Sequence, residues 1–300
     1  MVALEPVREA LERRLKRVAF LTLAERGDFV IDDDLAIAPL TERGIEVETI
    51  PWNEPDADWA RYALVVVRST WDYQHHAGEF LATLEQIESV TRLCNSAAIA
   101  RWNMRKTYLR ELAGKGVPTV PTIWRDGLAR GGLLTLFDEL GSDVAVIKPV
   151  MSGNAEGAWR VDRQRAKDLA GVLEAYFHGR PLMMQAFEEA IVSEGEFSLI
   201  YMGGAYSHAI LKVPKAGDFR VQEEHGSDVR SVTPDPALRA TSDAAMAAVG
   251  ERLLYGRADL VRHGDEFRVM ELELVEPALY LRMDPGAPAR FADAIAALLA

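Results

Sequence analysis

The residues best suited to chemistry are three carboxylates near the end of the chain. Glu271 and Glu273 lie two apart within residues 268–276, and residues two apart on a strand share a face. Asp259 belongs to an earlier apolar run, and residues 263–266 between the two runs predict the turn of a β-hairpin. If the loop has an odd number of residues, Asp259 falls opposite Glu271. The pattern then predicts three carboxylates on one small patch.

Such a patch needs a cation. Two carboxylates about 4 Å apart repel by roughly 4 kcal/mol at an effective dielectric constant near 20. Nucleotide enzymes bind Mg²⁺ through a few carboxylates and phosphate oxygens, so Asp259, Glu271 and Glu273 are candidate metal ligands. The alternative is a solvated sheet face with alternating charges.

Lysines upstream favour a nucleotide site. Lys148 ends the apolar run 144–147 and is followed by a loop of small residues, 152–157, whose backbone N–H groups suit a phosphate. The candidate contacts in this loop are Ser152, Gly153 and Asn154. Lys106, expected on a helix ending near Gly114, is unremarkable in isolation, and the loop by itself could be a solvated turn.

Two further segments fit a nucleotide. An extended run ending in Gln185, Ala186 and Phe187 can offer backbone groups to a purine, and Glu196 follows as a carboxylate for ribose hydroxyls. Core packing is the alternative explanation for the neighbouring methionines, Met183 and Met184. Residues 215–220 predict a mobile loop in which Arg220 reaches a triphosphate, or else a solvated connector.

The elements that position these residues begin with an α/β pattern. Strands are predicted at 18–22, 45–50 and 63–67, with one helix after the first strand and another over 79–89. This order predicts a parallel sheet with ligands beyond the carboxyl ends of its strands. Arg68 follows the third run, and its guanidinium suits a substrate carboxylate. The candidate substrate residues are Arg68, Ser69, Thr70, Trp71, Asp72, Tyr73, Glu276 and Tyr280. The alternative for residues 68–73 is a structural corner pinned by an Arg–Asp pair.

The composition of the chain excludes several classes of function. The chain has 300 residues, 49% hydrophobic and 27% charged, with a net charge of −12, which argues against nucleic-acid binding. Its single cysteine, Cys94, excludes an intrachain disulfide, and the six histidines show no metal-ligand spacing. No run approaches 18 apolar residues. We therefore expect a cytoplasmic enzyme with a small-molecule substrate, no membrane or nucleic-acid partner, and a possible homo-oligomer.

The order of these residues resembles the ATP-grasp superfamily over almost the whole chain. The GDFR run at 217–220 and the runs ADLV and VMELELVEP are similar to its glutathione-synthetase and ribosomal-protein-S6-modifying branch. The runs RSTWDY, KPVMSGNAEGAWR and ELELVEPALYLR resemble a narrower group that includes the O-ureidoserine cyclo-ligase of cycloserine biosynthesis. Two departures stand out: Glu273 replaces the usual asparagine, and the phosphate loop is poor in glycine.

This resemblance implies a domain order and a set of roles. An N-terminal extension (1–15) would precede a small parallel-sheet α/β domain (16–100), a central ATP-grasp lid domain (101–187) and a C-terminal ATP-grasp domain with the metal site (188–300). Lys106 and Lys148 would contact phosphates, and Arg220 would stabilise the transferred phosphoryl group. Residues 185–187 would form the adenine hinge, with Met270 on the opposite ring face.

The implied cofactors are ATP and Mg²⁺, and the implied reaction activates a carboxylate as an acyl phosphate that a nitrogen then captures. An intramolecular cyclo-ligase of an amino-acid derivative, converting O-ureido-D-serine to D-cycloserine, is the first candidate. An intermolecular carboxylate–amine ligase and a nucleotide-binding module without catalysis are the alternatives.

Overall fold

The computed structural model describes residues 17–300. The expected N-terminal extension, residues 1–15, lies outside the described residues. Three sheets with flanking helices make up residues 17–300, and within them no helix is both long and apolar enough to cross a bilayer.

The first sheet is parallel, with strand order β2-β1-β3-β4. Its strands are β1 (Arg17–Thr22), β2 (Glu46–Pro51), β3 (Leu64–Ser69) and β4 (Arg92–Cys94), and its helices are α1 (Ile37–Glu42) and α2 (Ala77–Val90). Every residue of β3 is buried, as expected for a continuous apolar run in a parallel sheet. The predicted parallel α/β arrangement is confirmed.

Two short helices, α3 (Ala97–Asn103) and α4 (Tyr108–Gly114), lead to an antiparallel central sheet of order β5-β8-β6-β7. Its strands are β5 (Thr122–Arg125), β6 (Val144–Pro149), β7 (Trp159–Asp162) and β8 (Leu182–Ala186), and its helices are α5 (Leu133–Leu140) and α6 (Ala166–Tyr176). This sheet has a core of its own, which includes Phe137 and Phe177.

The third sheet is antiparallel, with order β11-β10-β9-β12-β13. Its strands are β9 (Glu196–Met202), β10 (Ala205–Val213), β11 (Asp228–Val232), β12 (Tyr255–His263) and β13 (Glu266–Glu273). The helices of this part are α7 (Ala190–Ser193), α8 (Pro236–Ala247) and α9 (Ala287–Leu299). After α8 the chain turns at Gly250, which has a φ of +80°.

The first and third sheets share a core through α9. The ring of Phe291 lies 6.1 Å from that of Phe20 in β1 and 6.3 Å from that of Tyr255 in β12. The carboxyl end of β3 is therefore held next to the end of the acidic hairpin.

Candidate active site

One cleft gathers most of the predicted site residues. Side chains of the central sheet and the third sheet face each other across it, and the segment after β3 closes one end. The predicted residues that line it are Trp71, Tyr73, Lys106, Lys148, Ser152, Gly153, Asn154, Gln185, Ala186, Phe187, Glu196, Arg220, Asp259, Met270, Glu271, Glu273, Glu276 and Tyr280.

The acidic hairpin forms as predicted, but its register is set by a β-bulge rather than by the length of its loop. His263 pairs with Glu266, so the turn has two residues rather than an odd number. A β-bulge at Met270 then shifts the register, and Asp259 pairs with Glu271. The bulge also lets two consecutive residues, Met270 and Glu271, line the cleft, which strict alternation forbids.

Each of the three carboxylates is already paired with a cation. Glu271 lies 2.8 Å from the Lys106 Nζ. Arg257 donates to both Asp259 and Glu273, and Ser198 also donates to Asp259. The three carboxylates share one sheet face, but among residues 17–300 no three acidic, histidine or cysteine side chains form a group that could enclose a metal ion.

The acids in the cleft nevertheless fit a divalent cation. Burial, together with repulsion from Asp259 and Glu271, raises the pKa of Glu273 to about 7 in spite of Arg257. Burial also raises the pKa of Glu276 to about 8. Carboxylate oxygens are the donors that Mg²⁺ prefers, and an added cation would stabilise the ionised form of both groups.

Both predicted lysines attract the Glu271 carboxylate, and together they lower its pKa in spite of its burial. Lys106 was expected on a helix, but it lies in the turn between α3 and α4, where its Nζ also donates to the Ser152 carbonyl oxygen at 2.7 Å. The side chain of Lys148, near the end of β6, makes no hydrogen bond or ion pair with the described residues, and burial lowers its pKa. A lysine without a partner inside an acidic cleft is suited to bind an anion.

The small-residue loop after β6 has an irregular backbone. Asn154 and Ala155 have φ of 48° and 55°, which is uncommon for residues other than glycine. The Lys106 amide donates to the Val150 carbonyl oxygen at 2.8 Å, and the His225 ring lies 3.3 Å from the Asn154 carbonyl oxygen. The loop is therefore held from both sides of the cleft.

The predicted hinge is the end of β8. Gln185 is buried and donates to the Thr122 hydroxyl at 3.1 Å, and the Phe187 amide donates to the Val144 carbonyl oxygen at 3.0 Å. Met183 and Met184 are fully buried in the cores on either side of β8. The core-packing explanation therefore holds for both methionines.

Two predicted polar groups are paired within the protein. Glu196, at the start of β9, lies 2.6 Å from the Lys212 Nζ, and burial raises the pKa of Glu196. Arg220 lines the cleft, but its guanidinium contacts both carboxylate oxygens of Asp218.

The prediction for Arg68 needs correction. Arg68 is only 1% exposed and does not line the cleft: it pairs with Asp33 at 2.8 Å and donates to the Pro277 carbonyl oxygen at 3.0 Å. Its guanidinium stacks on Tyr255, 4.9 Å from the ring centroid. The geometry is that of a structural corner pinned by an Arg–Asp pair.

Its neighbours divide between the corner and the cleft. Ser69 and Thr70 are buried outside the cleft, and Asp72 accepts a hydrogen bond from the Trp52 ring at 2.7 Å. Trp71, by contrast, lines the cleft and donates to the Glu276 carbonyl oxygen at 2.8 Å.

Comparison with known proteins decides the family. Residues 18–95 match the family model of the N-terminal domain of D-cycloserine synthetase DcsG. The cycloserine biosynthesis protein DcsG of Streptomyces lavendulae is 32% identical over 286 residues, which is 88% of this chain and 93% of that protein. The chain belongs to the DcsG family.

Solved structures agree with this placement. The crystal structure of D-cycloserine synthetase DcsG superposes with a TM-score of 0.82 at 32% identity, covering 95% of this chain and all of that one. The ATP-grasp ligase PsnB, complexed with its minimal precursor, Mg and ADP, has a TM-score of 0.65 at 16% identity over 95% of this chain and 98% of that one. The second match shows the fold alone. This DcsG-family chain is an ATP-dependent ligase with the ATP-grasp fold.

Sequence reasoning missed several cleft residues of this DcsG-family chain. Arg257 lies two residues before Asp259 on the same face, so the alternation that identified the carboxylates was a sufficient signal for it. Lys212, which neutralises Glu196, carried no comparable signal because its partner is on another strand. Asn103 and Val30 also line the cleft.

Proposed function

We propose that the chain closes a ring in an amino-acid derivative at the expense of ATP, converting O-ureido-D-serine to D-cycloserine. The observation that carries this proposal is 32% identity to a cycloserine biosynthesis protein along 88% of the chain. The continuous cleft, which runs from the two lysines to the aromatic residues after β3, supports it.

The nucleotide would lie between the central and third sheets. Lys106 and Lys148 would contact its phosphates together with residues 152–154, and residues 185–187 would bind the adenine opposite Met270. Glu196 would bind the ribose hydroxyls. The partnerless Lys148 supports this arrangement because an anion would provide its missing counter-charge.

Asp259, Glu271 and Glu273 would hold Mg²⁺. When bound, the metal neutralises the phosphate charge that develops during transfer. Arg257 and Lys106 now occupy these carboxylates, so the two cations would have to share them with the metal or turn toward the phosphates.

The reaction would proceed in two steps. An oxygen of the substrate carboxylate attacks the γ-phosphorus, ADP leaves, and Arg220 stabilises the transferred phosphoryl group. The nitrogen of the same molecule that is bonded to the substrate's side-chain oxygen then attacks the acyl carbon and releases phosphate. Hydrolysis of the carbamoyl group on that nitrogen to carbon dioxide and ammonia completes the conversion to D-cycloserine. Exclusion of water by the closed cleft would protect the acyl phosphate from hydrolysis.

The substrate would occupy the end of the cleft after β3. Glu276, with its carboxyl stabilised by the Tyr73 hydroxyl, would take the α-ammonium group. Trp71, Tyr73 and Tyr280 would form the walls. In this arrangement residues 16–100 supply part of the substrate pocket, residues 101–187 the nucleotide lid and residues 188–300 the metal site.

A turnover assay tests the proposal. The purified protein is given ATP, Mg²⁺ and O-ureido-D-serine as the only organic substrate, and ADP and D-cycloserine are quantified by mass spectrometry. We expect one ADP for each ring formed, and much slower turnover of the L-enantiomer. Formation of ADP only after a second amine is added would favour an intermolecular ligase, and no ADP with any acid would favour a binding module.

A further inference from the structure

The strand that carries Glu271 and Glu273 lies at the edge of its sheet. β13 is the outermost strand: it pairs with β12 on its inner side, and on its outer side the backbone of residues 118–120 bonds to Val269. Its outer backbone groups are buried by the α3–α4 segment, and buried backbone groups without partners destabilise a fold. Another part of the chain must therefore complete this edge.

Beyond Val269, the outer edge is completed by side chains. The amide of Asn103 donates to the Leu272 carbonyl oxygen at 2.7 Å and accepts from the Leu274 N–H at 2.8 Å. The Tyr108 hydroxyl accepts from the Leu272 N–H at 2.8 Å. Asn103 thus holds both residues that flank Glu273, as a neighbouring strand would.

The same short segment also reaches the phosphate side of the cleft. Lys106, between Asn103 and Tyr108 in the sequence, pairs with Glu271 and donates to the Ser152 carbonyl oxygen. Asn103 is 8% exposed and Tyr108 is 1% exposed, so solvent competes little for their hydrogen bonds. Residues 103–108 therefore connect the acidic strand to the small-residue loop.

We infer that Asn103 and Tyr108 are positioning residues: they hold β13 so that Glu271 and Glu273 are directed at the metal beside the phosphates. This inference rests on the proposed function, because it takes the carboxylates as metal ligands. A displaced β13 would still carry both acids but would not align them with the nucleotide.

Metal binding, rather than turnover, tests the inference. Calorimetry measures Mn²⁺ affinity in the presence of a non-hydrolysable ATP analogue for the wild type, Asn103→Leu and Tyr108→Phe. Asn103→Leu keeps the number and branching of the side-chain heavy atoms and removes both hydrogen bonds, and we expect its Mn²⁺ affinity to fall at least ten-fold. Tyr108→Phe removes one bond, and we expect about a three-fold loss.

Tyr201→Phe is the matched control. Tyr201 is buried in the same core as Tyr108, but its hydroxyl binds Ser242 and Asp243 away from the cleft. We expect this variant to lose thermal stability as Tyr108→Phe does and to keep wild-type Mn²⁺ affinity.

The outcomes separate the two claims. If the wild type binds Mn²⁺ and Asn103→Leu and Tyr108→Phe both bind it as tightly as Tyr201→Phe, Asn103 and Tyr108 are merely structural and the inference is wrong. If the wild type binds no Mn²⁺ with the analogue, the metal site itself is wrong and the inference falls with it. Should Asn103→Leu fail to fold, the comparison of the two Tyr→Phe variants still decides.

Discussion

Glu271 is the carboxylate tied most directly to the small-residue loop, because it shares Lys106 with the Ser152 carbonyl oxygen. We expect Glu271→Gln to lower kcat by at least about 100-fold, since it removes a charge from the proposed metal site, where phosphoryl charge would be balanced. Glu266→Gln, an exposed change in the same strand, should leave kcat unchanged. Steady-state kinetics with thermal melts of both variants provide the measurement.

A wild-type rate from Glu271→Gln would contradict the assignment of this residue. So would full wild-type turnover in excess EDTA, which would remove the role of the metal altogether.

Glu276 makes stability depend on pH. Burial raises its pKa to about 8 in the folded chain, against an ordinary value near 4.3 in the unfolded one. Between these values the folded state retains the extra proton, so its stability falls as pH rises from about 4.5 to 8 and then levels off. Glu276→Gln removes this dependence.

We therefore expect Glu276→Gln to gain stability relative to the wild type as pH rises from 5 to 8, by on the order of 2 kcal/mol after allowing for partial exposure. Urea unfolding of both proteins without ligands measures it. The exposed change Glu54→Gln serves as the control and should show no such trend. A constant difference between Glu276→Gln and the wild type across this range would show that Glu276 is ionised in the fold.

Because Arg68 is buried in a structural corner, we expect its substitution to lower stability rather than substrate affinity. Arg68→Lys loses the contacts of two guanidinium nitrogens with one Asp33 oxygen, as well as the contact with the Pro277 carbonyl oxygen. The melting temperature should therefore fall and both KM values should stay unchanged. Arg61→Lys, which alters an exposed pair with Glu48, should cost less than about 1 kcal/mol. A ten-fold rise in the KM of the organic substrate alone would restore Arg68 to the substrate site.

Among the elements, the loop after β6 depends on one glycine. Gly157 has a φ of +67°, and a Cβ there would lie 2.4 Å from the Tyr176 hydroxyl and 3.1 Å from Pro149. We expect Gly157→Ala to displace the loop and weaken ATP-analogue binding about ten-fold, as measured by calorimetry.

Substitution of Gly179 is the control that distinguishes the effect of backbone strain from that of the close contact at Gly157. It has a similar φ of +64° but nothing within 4 Å of its Cβ position, so Gly179→Ala should cost about 1 kcal/mol of stability and no affinity. Adding Tyr176→Phe to Gly157→Ala should recover part of the binding. Equal affinities for the two alanine variants would mean that the loop does not contact the nucleotide.

The elements also show what a sequence can predict. The acidic hairpin and β3 were predictable because alternation and continuous apolar runs are local signals. The bulge at Met270 was not predictable, since it interrupts the alternation of side chains at only one residue. Lys106 was misplaced because the break between α3 and α4 carries no strong turn signal, and Arg68 was misassigned because Asp33 lies 35 residues away.

At the scale of the molecule, the hydrophobic core of the central sheet is a different cluster from the core that the first and third sheets share. The central sheet encloses Phe137 in its own cluster, whereas Phe291 belongs to the core shared by the first and third sheets. Both rings are fully buried. The core around Phe137 is therefore separate from that around Phe291, although Met183 of the central sheet packs with residues of the third sheet.

Hydrogen exchange checks this division. Phe291→Ala should lower the unfolding free energy of amides in the first and third sheets by about 3–5 kcal/mol and leave those of the central sheet nearly unchanged. Phe137→Ala should do the reverse. If each variant destabilises all three sheets equally, the described chain unfolds as one unit.

The bulge at Met270 has a consequence for genetics. Asp259 faces Glu271 only while Phe267 and Val269, 1% and 0% exposed, stay on the core side of β13, because a slip of one residue would exchange the two faces. Phe267 and Val269 do not line the cleft, yet polar substitutions at either position would separate the acidic pair. A screen for lost activity would therefore score these two apolar residues alongside the carboxylates themselves.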